Sequence, residues 1–238
     1  MPAGEDVDAA AREVMQSYGR YYAEALWARG RRVEELKLHT VVEGLERIIE
    51  AREQGRGMIY GLPHVGNWEV AAPVAVDEKV PVVAVAENLP NQRITDWFTR
   101  MRAEFGIEIV LATGGTEVMR ALEAALAANK AVALLADRDL KGRGVEVEFF
   151  GEKTTLPPGP ATLALRTGAP LLPVASYYEG EAGYRVVIRP AIAVPEEGTR
   201  SEKVASMTQA LALEMETLIR AHPSQWHLVQ PNWPSDRE

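Results

Sequence analysis

A histidine and a carboxylate five positions apart, His64 and Glu69, stand in the segment Leu62-Pro63-His64-Val65-Gly66-Asn67-Trp68-Glu69. Imidazole titrates near neutrality, so a histidine with one ring nitrogen held by a carboxylate keeps the other available as a general base. On one continuous helix a spacing of five would set the two side chains roughly 140° apart. They can meet only if His64 precedes a helix and Glu69 lies in its first turn. Asn67 fits the break between them, because its side chain suits an N-cap. Glu69 would then sit where the helix macrodipole favours the ionised carboxylate. Gly66 would permit a positive φ or the close approach of a substrate hydroxyl to the histidine. Spacing alone fits a blander arrangement equally well, with Glu69 complementing the helix dipole and His64 an ordinary loop residue.

The surrounding sequence must supply a strand that delivers His64 and a helix that receives Glu69. Short apolar runs at Met58-Ile59-Tyr60, Val80 to Ala86, Ile107 to Leu111, Ala131 to Ala136 and Pro170 to Tyr177 alternate with helix-like stretches near 67–77, 91–105, 115–128 and 159–167. That alternation predicts an α/β fold with a central, mostly parallel sheet flanked by helices. Val145 to Phe149 alternates at period two and Tyr184 to Arg189 is rich in β-branched residues, so both are expected as extra strands that make the sheet mixed. Helical periodicity from Val7 to Leu26, and again through Val41, Val42, Leu45, Ile48 and Ile49, predicts two opening helices in residues 1–53 packed on the α/β core. A last helix through Val204, Met207, Leu211, Met215 and Ile219 should stop at His222-Pro223. With no linker or repeat visible, 238 residues at 47% hydrophobic content read as one domain. His64 then lies beyond the carboxyl end of a strand, where open α/β sheets bind ligands.

Composition removes several classes of function. The absence of cysteine excludes disulfides, thiolate metal sites and cysteine nucleophiles. A net charge of −8 opposes binding to nucleic acid. No run approaches a membrane span, and the start lacks the basic and apolar regions of a signal peptide, so the chain as it stands is expected to be soluble or peripheral. Arg29, Arg31 and Arg32 form a local basic cluster that either attracts anionic lipid or is a solvated helix end. Trp226 and Trp233 are either interfacial anchors or packing residues. Asp137-Arg138-Asp139 could hold Mg²⁺ or Mn²⁺ in a metal-dependent glycosyltransferase. A non-catalytic lipid-binding protein is the remaining rival, and burying two acids and an arginine in a passive tunnel would be costly.

Longer context distinguishes these readings. His64-Val65-Gly66-Asn67-Trp68-Glu69 resembles the histidine-x4-acid motif of the lipid A lauroyl/myristoyl acyltransferase family. Ala136 to Leu140, Val145 to Gly151, Pro158 to Ala161 with Thr167-Gly168-Ala169, and the ending Ala221 to Trp233 resemble that family's later blocks in order. The ending and Ala86-Glu87-Asn88 are similar to the family's phosphatidylinositol mannoside branch. The match covers roughly residues 40–234.

The resemblance implies an O-acyltransferase of glycerolipid-acyltransferase-like fold with an apolar acyl groove, needing no cofactor or metal. It would move a long acyl chain from acyl-CoA to a mannose hydroxyl of a membrane glycolipid, with a lipid A precursor as the alternative acceptor. It would contact the cytoplasmic face of the plasma membrane peripherally. Relatives carry an additional N-terminal membrane-associating segment, whereas here the first helix begins almost at once, which puts membrane docking in question. Carried over by position, His64 is the general base, with Glu69 and Asp137 as two acids competing to orient it. Arg102 is the active-site arginine, with Arg100 close by in sequence. Glu87, Asn67 and Gly66 are substrate-site residues. Ala71, Ala72, Ala75, Ala161 and Ala164 could line the groove or pack helices onto the sheet. Acyl length, the acceptor hydroxyl and oligomeric state are not encoded legibly.

Overall fold

The β-branched and apolar runs become strands because each can bury side chains on both faces of a covered sheet. The computed structural model describes residues 6–27, 31–86, 90–112, 116–139 and 142–237. In chain order the elements are α1 (Val7–Trp27), α2 (Arg31–Leu38), β1 (Thr40–Glu43), α3 (Leu45–Glu53), β2 (Met58–Leu62), α4 (Ala71–Asp77), β3 (Val82–Ala86), α5 (Gln92–Glu104), β4 (Ile107–Leu111), α6 (Thr116–Ala127), β5 (Ala131–Leu135), β6 (Val145–Phe149), β7 (Glu152–Leu156), α7 (Gly159–Thr167), β8 (Leu171–Glu179), β9 (Gly183–Ile188) and α8 (Arg200–Ala221). Seven strands form one sheet in the order β1-β9-β8-β2-β5-β3-β4, and β6 and β7 form a separate hairpin.

Every neighbouring pair in the large sheet is parallel except β8 with β9. Helices cover both faces. Residues of α2, α3, α4 and α5 share one apolar cluster with the sheet, and α6, α7 and α8 share the other. The fold is the expected single α/β domain with a mostly parallel central sheet.

β2 is the middle strand, and all five of its residues are buried. At Gly61 the backbone meets α8 so closely that an added Cβ would lie 2.9 Å from Leu211 Cδ1. Leu211, Met207 and Met215 of α8 are essentially unexposed. Each such side chain contributes about 1.5–3 kcal/mol. A capping box at Thr199 and Glu202 fixes where α8 begins. The site's central strand is thereby clamped from behind.

Two expectations are corrected, and one strand was not foreseen. Val41 and Val42 belong to strand β1, not to a helix shared with Leu45 and Ile49, because Gly44 at φ 82° breaks the backbone between β1 and α3. Their β-branched side chains suit an extended edge strand. Val145 to Phe149 is a strand, but it pairs with β7 outside the central sheet. The mixed character of the sheet comes from β9 and β1. β7 itself was hidden by its polar sequence Glu152-Lys153-Thr154-Thr155-Leu156 and by a Phe150-Gly151 turn, whose two positive φ angles are normally supplied by Asn-Gly.

Candidate active site

The pairing of β2 with β5 builds the centre of the site. Leu62 and Leu135 are register partners at the carboxyl ends of the two parallel strands, and the Ala136 amide donates to the Leu62 carbonyl at 2.8 Å. Two residues beyond each leucine stand His64 and Asp137, side by side on adjacent loops. Asp137 Oδ1 lies 2.6 Å from His64 Nδ1, and Oδ2 accepts the His64 backbone amide at 2.9 Å. The Trp226 indole N–H also donates to Oδ2, at 2.9 Å, and Asn232 donates to the Asp137 carbonyl at 3.3 Å.

Asp137 is completely buried. Burial pushes its carboxyl up, but the charge of the adjacent imidazole and the hydrogen bonds from His64 and Trp226 outweigh that and hold it below the usual range. An ionised Asp137 accepts only, so the bridging proton belongs to His64 Nδ1. Nε2 is the ring nitrogen left to exchange a proton, and among the described residues nothing hydrogen-bonds to it.

Glu69 is not the group that holds His64. Its Oε1 accepts from Arg102 Nε at 2.9 Å and from the Tyr21 hydroxyl at 3.1 Å. Like Asp137 it is buried. Arg102 approaches from α5 and lies 5.6 Å from the Phe98 ring centroid, whereas Arg100 is exposed. Removing the Arg102 guanidinium from water disfavours its charge, but the facing Glu69 carboxylate overcomes this and raises its pKa. The motif acid and the arginine are therefore one ion pair, buried at Glu69 and half-buried at Arg102, lining the site with the histidine.

Asn67 is the expected cap: its side chain accepts the Glu69 amide at 3.2 Å, at the start of a single 3-10 turn (Trp68–Val70) that leads into α4. Its amide nitrogen donates to Glu24 at 2.8 Å, so both ends of the side chain serve the protein. Gly66 is fixed by backbone need. Its φ is +56°, an added Cβ would sit 2.2 Å from the Ser176 carbonyl oxygen, and its N–H is engaged by the Gln225 carbonyl at 2.9 Å. That amide is thus already taken and does not point at a substrate. Glu87 lies outside the described residues, as does Arg29, and so do the side chains of Arg31 and Arg32.

His64, Trp68 and Arg102 open onto a cavity of about 500 Å³, whose wall includes Leu134, Leu135, Val118 and Leu122. A smaller void of about 60 Å³, bounded by Ala71, Ala72, Ala84 and Ala133, lies behind Trp68 and Arg102. Ala75, Ala161 and Ala164 are instead buried in the two apolar cores.

The sequence did not single out the contribution of α1 or of His227. Ser17 bonds His227 Nε2 at 2.8 Å, Tyr21 stacks on Trp68 at 4.1 Å, and Tyr18, Tyr21 and Tyr22 all line the cavity. The available signal was three tyrosines at helical spacing, where core packing alone would suit leucine. His227 is buried, its backbone N–H bonds the His64 carbonyl at 2.8 Å, and its Nδ1 has no partner among the described residues. Burial first, and then repulsion by a charged His64, pull its pKa down to about 4. It is a neutral imidazole at neutral pH. Trp226 and Trp233 are packing residues, the first on Asp137 and the second donating to the Phe149 carbonyl at 2.9 Å.

Asp137 and Asp139 do not form a joint cation site. Asp137 faces His64 and Trp226, while Asp139 accepts from the Gly144 amide at 2.5 Å and the Thr155 hydroxyl at 3.0 Å.

Comparison with known proteins adds the context for this geometry. Residues 3–235 match the family described as bacterial lipid A biosynthesis acyltransferase. A phosphatidylinositol mannoside acyltransferase of Mycolicibacterium smegmatis is 37% identical over 99% of this chain and 76% of its own length. Its namesake in Mycobacterium tuberculosis is 38% identical over 93% of this chain and 69% of its own.

Proposed function

Because the chain belongs to the bacterial lipid A biosynthesis acyltransferase family, we propose that it transfers a long-chain acyl group from acyl-CoA to a mannose hydroxyl of a phosphatidylinositol mannoside, with His64 as general base. The observation that carries this reading is the 2.6 Å contact of His64 Nδ1 with a buried, ionised Asp137 at the wall of the cavity, which supports Nε2 as the proton acceptor.

The mannose hydroxyl gives its proton to Nε2 as its oxygen attacks the thioester carbonyl. The C–S bond breaks in the collapse of the tetrahedral species, and the imidazolium returns the proton to the departing thiolate. Acyl oxygen ester and free thiol are formed, and the histidine ends as it began. Asp137 is a positioning residue: it fixes the tautomer and stabilises the imidazolium without taking the proton itself. Negative charge grows on the carbonyl oxygen, and the donor we assign to it is the guanidinium of Arg102, which lines the same cavity as His64 and is held by Glu69.

The acyl chain takes the apolar part of the cavity and the alanine-lined void behind Trp68. Met15, Tyr22 and Leu26 are exposed at spacings of seven and four along α1, so they share one face. Tyr22 also lines the cavity, and we assign this face to peripheral contact with the bilayer from which the acceptor arrives. No helix among the described residues is long and apolar enough to cross a membrane.

The test is mass spectrometry of products from palmitoyl-CoA, or palmitoyl-acyl-carrier protein, supplied with phosphatidylinositol mannoside or with a lipid A precursor. The reading requires a palmitoylated mannoside and coenzyme A release that rises with mannoside concentration. Thiol release indifferent to any acceptor would instead make the chain a thioesterase, and preference for the carrier protein would overturn the choice of donor.

A further inference from the structure

We propose that Arg138 determines acceptor specificity by pairing with the phosphodiester of a mannosylated phospholipid at the mouth of the catalytic cavity. The proposal rests on the acyl-transfer reading above and deepens it.

Arg138 follows Asp137 directly, yet the two side chains have opposite surroundings. Asp137 is sealed against His64, whereas Arg138 is partly exposed and lines the cavity with Tyr18 and Tyr22. The guanidinium lies close enough to Tyr18 to oppose the rise in that phenol's pKa, a rise caused chiefly by burial.

Among the described residues the other charges lining the cavity are accounted for. Arg102 is paired with Glu69, and His227 is neutral. Arg138 donates to a neutral group, the Gln230 side-chain oxygen at 3.1 Å. None of the ion pairs among the described residues includes it; the arginines that do pair, at positions 20, 47, 52, 102, 166, 185, 189 and 220, each have a carboxylate within 4 Å. In a chain of net charge −8, a cation that lines the cavity and has no carboxylate partner among the described residues is the feature that calls for an anion. A guanidinium presents a planar fork that matches two phosphate oxygens.

Reach selects which phosphate. Consecutive Cα atoms are about 3.8 Å apart, so Arg138 is anchored beside the His64 and Asp137 pair, and its guanidinium stays within the reach of its own side chain from that anchor. In a phosphatidylinositol mannoside the sugar and the phosphodiester are attached to the same inositol ring, so a mannose at His64 brings its phosphate within that reach. The phosphates of coenzyme A lie at the far end of the pantetheine arm from the reacting thioester.

The experiment measures kcat and KM for wild type, Arg138→Gln and Arg138→Lys in neutral detergent micelles, which remove surface charge as a variable. The acceptors are phosphatidylinositol mannoside and the uncharged mannosyl diacylglycerol, and the donors are palmitoyl-CoA and palmitoyl-pantetheine. The proposal predicts that Arg138→Gln lowers the preference for the phospholipid acceptor, as the ratio of the two kcat/KM values, about tenfold or more. That is the size expected for losing a charge-assisted hydrogen bond. The loss should lie mainly in KM and persist with palmitoyl-pantetheine. Arg138→Lys, which keeps the charge and loses the fork, should recover part of it. An unchanged ratio in a wild type and variant that both acylate the phospholipid would sink the assignment alone. A penalty that disappears with palmitoyl-pantetheine would give the phosphate to the donor and also overturn it. A wild type that acylates neither mannoside would mean that the acyl-transfer reading had failed, and the proposal with it.

Discussion

A histidine 2.6 Å from a buried carboxylate is aimed as a base only if the carboxylate stays ionised, and the charge of the adjacent ring with three hydrogen bonds to Asp137 favours that form despite complete burial. Asp137→Ala should therefore lower kcat about 100-fold or more. Asp139→Ala, which removes contacts to Gly144 and Thr155, should cost far less; initial rates of both variants check the ranking, and the reverse order would show that the wrong acid had been chosen. His227 makes a prediction about stability. Its folded pKa of about 4 lies below the ordinary 6.5, so between these values the unfolded chain binds the extra proton. Stability rises with pH across that window, is fully present above about 6.5 and is lost as pH falls toward 4. Thermal melts at pH 4.5 and 7 should show this drop, and His227→Gln should make it smaller. In the sequence, His64, Glu69, Asp137 and Arg102 were legible through motif resemblance, but the partnership was not. Spacing favoured Glu69 as the orienting acid because it is near in the chain. Asp137 wins because strand pairing makes a residue 73 positions away the nearer neighbour in space.

At the level of elements, the site exists because β2 and β5 are adjacent, parallel and in register at Leu62 and Leu135. The loop leaving β2 must then turn sharply, and Gly66 is the residue that permits it. Gly66→Ala forces a side chain into the left-handed region and against the Ser176 carbonyl, which should cost about 2 kcal/mol or more and lower Tm by at least ~4 °C. Melting curves decide this, and an unchanged Tm would mean that the loop is not constrained as described. The parallel strands and their helices were readable from apolar runs and turn residues. β1 and β7 were not: two valines beside a helical run mimic helical period, and a polar strand after Phe-Gly lacks the usual turn signature. The role of α1 also escaped, since a tyrosine's contribution to periodicity says nothing of where its hydroxyl ends.

For the whole molecule, two apolar cores hold a buried central strand, and the site opens at the carboxyl edge of the sheet beneath α1. The exposed α1 face, with Met15, Tyr22 and Leu26, is the part of the surface proposed above to meet lipid. In the proposed function one imidazole, that of His64 aimed by Asp137, performs the proton transfer in acylation of a mannoside. The most direct measurement compares the initial rate of palmitoyl-mannoside formation by wild type and His64→Ala, with circular dichroism to confirm that both are folded. Loss of a general base predicts a fall of about 10²–10⁴-fold in kcat. A folded His64→Ala protein that acylates the mannoside at the wild-type rate would contradict the account.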